Sequence, residues 1–180
     1  GGATIVQLRA PQWKKRHRYE CALALKDVLH AYQVPLIIDD DLDIALACNA
    51  DGVHVGQKDL PVHIVRKFLG PDKIVGLSIN NEQQMLAVDP SVVDYVGVGP
   101  VFSTTTKPDA EAATGIDGLA KLMKLCPVPA VAIGGIKSHH IAEIAATGVQ
   151  GVAVVSAICG QNDPLASARE LSELWKRFSN

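Results

Sequence analysis

A run of four carboxylates and a single aspartate some twenty positions later are the residues in this sequence whose types and spacing most plainly ask for a chemical partner. Asp39-Asp40-Asp41, with Asp43 close behind, follows an apolar run at residues 35–38, and Gly56-Gln57-Lys58-Asp59 follows a second apolar run at 52–55. If both runs are neighbouring strands, about 4.8 Å apart, Asp40 and Asp59 stand at the same level and can converge on one hard cation. One or two carboxylates, completed by phosphate oxygens and water, is the usual setting of Mg2+. The run of four carboxylates alone reads equally well as a cap and dipole complement for the following helix. The pair is what points to a metal.

Other residues suit an anion. Arg9 leaves an apolar run as Gln7-Leu8-Arg9, and its permanently charged fork can hold a phosphate bidentately. A surface ion pair with a nearby acid is the alternative. Ser103-Thr104-Thr105-Thr106-Lys107 begins a long polar stretch after Val101-Phe102, with the next helix starting near Ile116. So long a loop is more often functional than idle, and hydroxyls beside a lysine suit an oxyanion. Gly134-Gly135 and Val155-Ser156 stand at the ends of the last two apolar runs. Glycine lets backbone N–H groups approach a phosphate, although paired glycines also serve plain tight turns. Ser78 reads either as a phosphate ligand past a strand end or as a helix cap.

Several conspicuous residues carry bland readings. His139-His140 opens a helix without a third ligand and reads as solvent-exposed, and His54 reads as packed within a strand. Trp13 and the basic run Lys14-Lys15-Arg16-His17-Arg18 read as a solvated loop and helix start that could also steer anions. Cys21, Cys48, Cys126 and Cys159 are scattered with no pairing spacing, so disulfide and zinc frameworks are poor explanations. A reduced, cytoplasmic setting follows as an expectation.

These residues need elements to hold them. Apolar, β-branched runs at 3–8, 35–38, 52–55, 73–77, 92–98, 128–133 and 151–155 alternate with stretches of helical spacing at 19–32, 42–48, 62–69, 82–88, 119–125 and 141–146. The last helix is the clearest, with Asp163 as N-cap, Pro164 at its first position and an apolar face through Leu165, Ala168, Leu171, Trp175 and Phe178. Gly148 reads as a helix stop. Strands apolar on both faces and joined by helices imply a parallel sheet covered by helices. Hydrophobic residues make up 48% of the 180 and aromatics only 4%, which suits many short buried strands. An open doubly wound sheet and a closed barrel both fit. The expectation is an α/β (β/α)8 TIM barrel, a single domain over 1–180, N-terminally incomplete, with its first strand and helix absent from this chain. Seventeen basic residues against 19 acidic ones argue against nucleic acid or membrane as main partner. The Gly1-Gly2 start does not read as a signal peptide. Small phosphorylated molecules are the expected partners, and a homo-oligomer is left open.

Read together, the motifs GGATIVQLR, LIIDDDLDIALACNADGVHVGQKDLP, GLS, DYVGVGPVFSTTTK, VAIGGI and GVAVVSAI resemble the thiamin phosphate synthase family over essentially the whole chain. The resemblance implies transfer of a hydroxymethylpyrimidine group from its diphosphate to a thiazole phosphate. It implies Mg2+ on Asp40 and Asp59, the leaving diphosphate on Arg9, Ser78 and Lys107, and the pyrimidine beside Gln7. Thr104, Thr106, Gly135, Val155 and Ser156 would surround the thiazole phosphate. Two positions depart from the family pattern. Pro11 stands where a lysine is usual, leaving Lys14 or Lys15 as substitutes. Asp39 stands where asparagine is usual, adding a carboxylate that either strengthens metal binding or repels diphosphate at this substrate-binding position. Alternative readings are the related thiazole tautomerase, which would have little use for Asp59 and the 104–107 segment, a sugar-phosphate epimerase barrel, and a non-catalytic ligand-binding barrel.

Overall fold

A computed structural model describes residues 1–106 and 111–179. Strands and helices alternate along it: β1 (Val6–Leu8), α1 (Lys15–His30), β2 (Leu36–Asp39), α2 (Leu42–Cys48), β3 (Gly52–Val55), α3 (Val62–Leu69), β4 (Ile74–Ile79), α4 (Glu82–Leu86), β5 (Tyr95–Val98), α5 (Gly115–Met123), β6 (Ala130–Ile133), a 3-10 turn (Ser138–His140), α6 (Ile141–Ala145), β7 (Gly151–Ala153) and α7 (Pro164–Phe178). The strands follow one another in the sheet in the order of the sequence, and the pairs β1–β2, β2–β3, β3–β4, β5–β6 and β6–β7 are parallel. A doubly wound sheet reverses its strand order at a switch point. This order has no reversal, so the fold is α/β of the TIM-barrel type.

The chain divides into two compact units, one formed by Ala3–Leu77 with Ser91–Asp94, the other by Gly1–Gly2, Ser78–Pro90 and Tyr95–Asn180. In the first, β2 and β3 are buried on both faces, and Leu36, Ile38, Val53 and Val55 pack with Ala22, Leu42, Ala45 and Val65 of the crossover helices. That double burial is why these strands read as unbroken apolar runs. In the second, Val96, Val98, Ala130 and Ala132 of the strands are fully buried, as are Leu119 of α5 and Ile141 and Ile144 of α6. Asp163 accepts a hydrogen bond from the Ala166 N–H at 2.9 Å, with Pro164 in the first turn, as the capping pattern requires.

Some boundaries differ from the sequence expectation. β1 is confined to Val6–Leu8, the residues that find partners in Leu36–Ile38 of β2. β4 continues to Ile79, whose carbonyl accepts the Gly99 N–H at 3.1 Å, so Ser78 lies within the strand and not beyond it. α1 begins four residues earlier than its apolar spacing suggests, because Lys15 and Arg18 are drawn to acidic residues of the following βα segment.

Arg66 supplies an anchor that periodicity does not reveal. Its guanidinium donates to the carbonyls of Val92 (3.1 Å), Gly70 (2.9 Å) and Lys73 (2.6 Å) and pairs with Asp94 at 2.6 Å. Asp94 in turn accepts the Val75 N–H at 2.7 Å, fixing the start of β4. Replacing Arg66 strands three carbonyls and one carboxylate at once. Arg66→Ala should lower unfolding stability by roughly 2–3 kcal/mol, read from a urea titration, given that hydrogen bonds to charged groups are worth about 1.5–3 kcal/mol each and their losses are not additive.

Candidate active site

In the first unit the register of three strands collects the acidic and basic candidates at one edge. Gln7 pairs with Ile37 across β1–β2, and Asp39 pairs with His54 across β2–β3. Arg9, two residues past Gln7, therefore comes beside Asp39, and its Nε lies 3.1 Å from the Asp39 carboxylate. The Asp39 side chain is 12% exposed against 31% for Arg9, so the pair is partly withdrawn from water and less screened than a surface bridge. The extra carboxylate is thus charge-matched by the arginine that faces it. Gln7 lies exposed at the middle of β1.

Asp40 is exposed and leaves β2 in the left-handed region at φ 61°, with its N–H held by the His54 carbonyl at 2.8 Å. A non-glycine residue fixed there is uncommon and clusters at functional positions. Asp59, past the end of β3, folds back so that Oδ2 accepts the Gly56 N–H at 2.9 Å. Both carboxylates belong to the C-terminal ends of adjacent strands. Hard oxygens of this kind fit Mg2+, and a carboxylate bound through one oxygen keeps acceptor capacity for a cation. Among the described residues no group of three or more His, Cys, Asp or Glu is placed to hold a metal by itself, so the fit is to an ion completed by water and substrate oxygens.

The rest of the acidic run is occupied structurally. Asp41, at the N-cap position of α2, makes no side-chain cap. It pairs instead with Arg18, and Lys15 lies 3.6 Å away. Lys15 reaches Asp43 at 2.6 Å, and this hydrogen bond raises the lysine's pKa while lowering that of Asp43. Lys15 is thus paired with the acidic segment that follows β2. Trp13 stacks on His17, ring centroids 4.2 Å apart, at the start of α1. His54 is buried, as expected of a packed strand residue.

In the second unit the candidates lie in β4 and in the segments that follow β5, β6 and β7. Ser78 is half-buried inside β4. Beyond β5, the Val101 and Phe102 N–H groups donate to the Ile133 and Gly134 carbonyls at 2.8 and 3.0 Å. A Cβ on Gly135, which stands at φ 65°, would meet the Ser103 carbonyl oxygen at 2.5 Å and Phe102 Cβ at 2.8 Å. Gly135 is thus required by the close approach of the loops after β5 and β6, beyond any role toward an anion. At the far side of the polar loop, the Thr114 and Gly115 N–H groups bind the Pro100 and Val101 carbonyls at 2.8 and 3.0 Å, closing its base. Within the loop the Thr106 N–H reaches Thr104 Oγ1 at 3.2 Å. Lys107 lies outside the described residues. β7 ends at Ala153, so Val155 and Ser156 stand exposed in the turn that follows, where the Ile158 and Cys159 N–H groups bind the Val155 carbonyl.

Of the histidine pair, His139 is exposed as expected and His140 departs from that reading. His140 is half-buried and stacks on Phe102, with centroids 3.9 Å apart. A long-range ring contact of this kind leaves no periodic signal; the aromatic and the imidazole merely needed to be noticed as candidates for each other. No helix among the described residues is long and apolar enough to cross a membrane.

Known proteins resemble this chain along nearly its whole length. The sequence pattern of the family described as thiamine monophosphate synthase matches residues 1–158. A thiamine-phosphate synthase of Laribacter hongkongensis is 51% identical over 174 residues, covering 97% of this chain and 82% of that protein. One from Vibrio campbellii is 47% identical over 176 residues, covering 98% and 86%. A solved thiamine phosphate pyrophosphorylase from Pyrococcus furiosus superposes with a TM-score of 0.92 at 34% identity, covering 100% of this chain and 86% of that one.

The loop packing makes a direct prediction. Gly135→Ala adds a Cβ against backbone and forces a left-handed alanine, so it should cost roughly 1–3 kcal/mol. Thermal unfolding would register this as a lowered midpoint, with Gly115→Ala, whose Cβ would meet nothing within 4 Å, as the control for positive φ alone.

Proposed function

The chain belongs to the thiamine monophosphate synthase family and is a transferase, and from that premise we propose how its residues carry the reaction. A hydroxymethylpyrimidine group passes from its diphosphate to the ring nitrogen of a thiazole phosphate, giving thiamin phosphate and diphosphate. The observation that carries this reading is the family match across residues 1–158, within which each chemical residue singled out above and described in the structure falls at a strand end or in the loop following one, Ser78 and Gln7 excepted.

In the proposed reaction the bond between the pyrimidine methylene carbon and the diphosphate oxygen breaks first, and its electron pair leaves with the diphosphate. The thiazole nitrogen then gives its lone pair to the resulting carbocation, forming the C–N bond. The protein's tasks are to stabilise growing negative charge and to hold the reactants in line. Asp40 and Asp59 would hold Mg2+, which when bound would neutralise charge on the departing diphosphate. Arg9, oriented by Asp39, donates to diphosphate oxygens, with Ser78 and Lys107 as further donors. Gln7 contacts the pyrimidine. Thr104, Thr106, Gly135, Val155 and Ser156 take the thiazole phosphate through hydroxyls and backbone N–H groups. A cytoplasmic setting suits a biosynthetic reaction on small phosphorylated molecules.

The test is diphosphate release on mixing both substrates with Mg2+. Asp40→Ala and Asp59→Ala should each fold as the parent chain does but bind Mg2+–diphosphate more weakly by calorimetry; wild-type affinity in both would remove the metal assignment. Lys107→Ala should lower turnover roughly a hundredfold or more, since one donor aimed at developing charge is commonly worth about 2.7–4 kcal/mol. An unchanged turnover number with a raised KM for the thiazole phosphate would instead place Lys107 on the other phosphate.

A further inference from the structure

The loop after β5 starts from a side-chain clamp as well as from backbone bonds. Phe102, the last apolar residue before Ser103-Thr104, lies against the imidazole of His140 with an interplanar angle of 21° and centroids 3.9 Å apart. The imidazole is itself fixed. Its Nδ1 accepts the Lys137 N–H at 3.1 Å, which sets the ring's rotation and requires that nitrogen to be unprotonated. His139 packs edge-on against the same ring at 4.0 Å. The turn that carries both histidines runs directly into α6, whose Ile141 and Ile144 are fully buried. The ring is therefore delivered to Phe102 by a packed element.

The charge state agrees with this geometry. Burial lowers the pKa of His140, the neighbouring His139 and Lys137 push the same way, and Glu143 opposes them. Glu170 of α7, which lines a small cavity with Lys137 and Ser138, is the further acid near this turn. A neutral ring keeps both its stack and its acceptor.

We propose that His140 is a positioning residue for the transfer reaction: by stacking on Phe102 it holds the root of the 103–106 segment, so that the Thr104 and Thr106 hydroxyls are ordered before the thiazole phosphate arrives. The inference rests on the reading that this segment binds that phosphate. Pre-ordering a binding loop improves affinity by removing the entropy lost when ligand must order it. The effect belongs to substrate binding, so it falls on KM for the thiazole phosphate more than on turnover.

The experiment is steady-state diphosphate release by the full chain, with each substrate varied in turn, for His140→Ala, His140→Phe and Thr104→Ala. His140→Ala should raise KM for the thiazole phosphate roughly tenfold, the scale of one aromatic contact, while the KM for the pyrimidine diphosphate and the thermal midpoint stay near those of the parent. His140→Phe keeps an aromatic face over Phe102 and should recover most of the loss. Parent-like kinetics in His140→Ala, or a defect in His140→Phe equal to that of His140→Ala, would overturn the proposal. So would equal losses for both substrates that track a lowered thermal midpoint, because the histidine would then be serving general stability. Thr104→Ala separates the two layers: if it raises KM for the thiazole phosphate and His140→Ala does not, the positioning role alone fails. If Thr104→Ala also has no effect, the loop's phosphate role fails and the positioning role falls with it.

Discussion

Parallel pairing of short, doubly buried strands is the constraint from which the rest of this molecule follows. A strand of four residues such as Leu36–Asp39 or Gly52–Val55 has no exposed face, so its side chains satisfy the core and leave chemistry to whatever comes next. Parallel register then places the C-terminal ends of neighbouring strands at one edge. The pairing of Asp39 with His54, and of Gln7 with Ile37, brings Arg9, Asp39, Asp40 and the turn holding Asp59 to that edge in the first unit. A slip of one residue would send these side chains to the opposite face. The buried apolar run and the exposed carboxylate beyond it are thus two consequences of one pairing.

Charge compensation sorts the acidic residues that this edge collects. Four carboxylates within five positions would repel one another if left together. Arg9 takes Asp39, Arg18 and Lys15 take Asp41, and Lys15 takes Asp43. The basic run at the start of α1 therefore has a structural use, holding that helix to the acidic segment that follows β2. Asp40 differs from these neighbours in its left-handed backbone.

In the second unit the governing feature is the close approach of backbones. The loops after β5 and β6 exchange hydrogen bonds from Val101 and Phe102 to Ile133 and Gly134. There is no space for a Cβ at Gly135. Backbone closure at Thr114 and Gly115 and the Phe102–His140 stack then define where the polar loop leaves the scaffold and where it returns. A loop anchored at its root loses less entropy on binding than one free along its whole length.

The sequence by itself determined the alternation of strands and helices, because periodic burial writes itself into residue order; α2 and α3 fall where the spacing places them, and Asp163 caps α7 as its position before Pro164 requires. It also singled out candidates for chemistry, such as Asp40, Asp59, Arg9 and the threonines of the β5 loop, by residue type and by their position after apolar runs. Only the tertiary structure decided the partners. Whether Asp39 would add to a metal site or be neutralised depended on Arg9, thirty positions away, and whether Lys15 was available depended on Asp43. The choice between doubly wound and barrel topology rested on strand order, which local spacing does not encode. Ser78 fell inside β4 because Gly99 bonds to Ile79, and His140 found Phe102 because two loops meet. Local spacing reports how each residue stands to a core, whereas pairings between distant residues are set by the register and packing that bring them together.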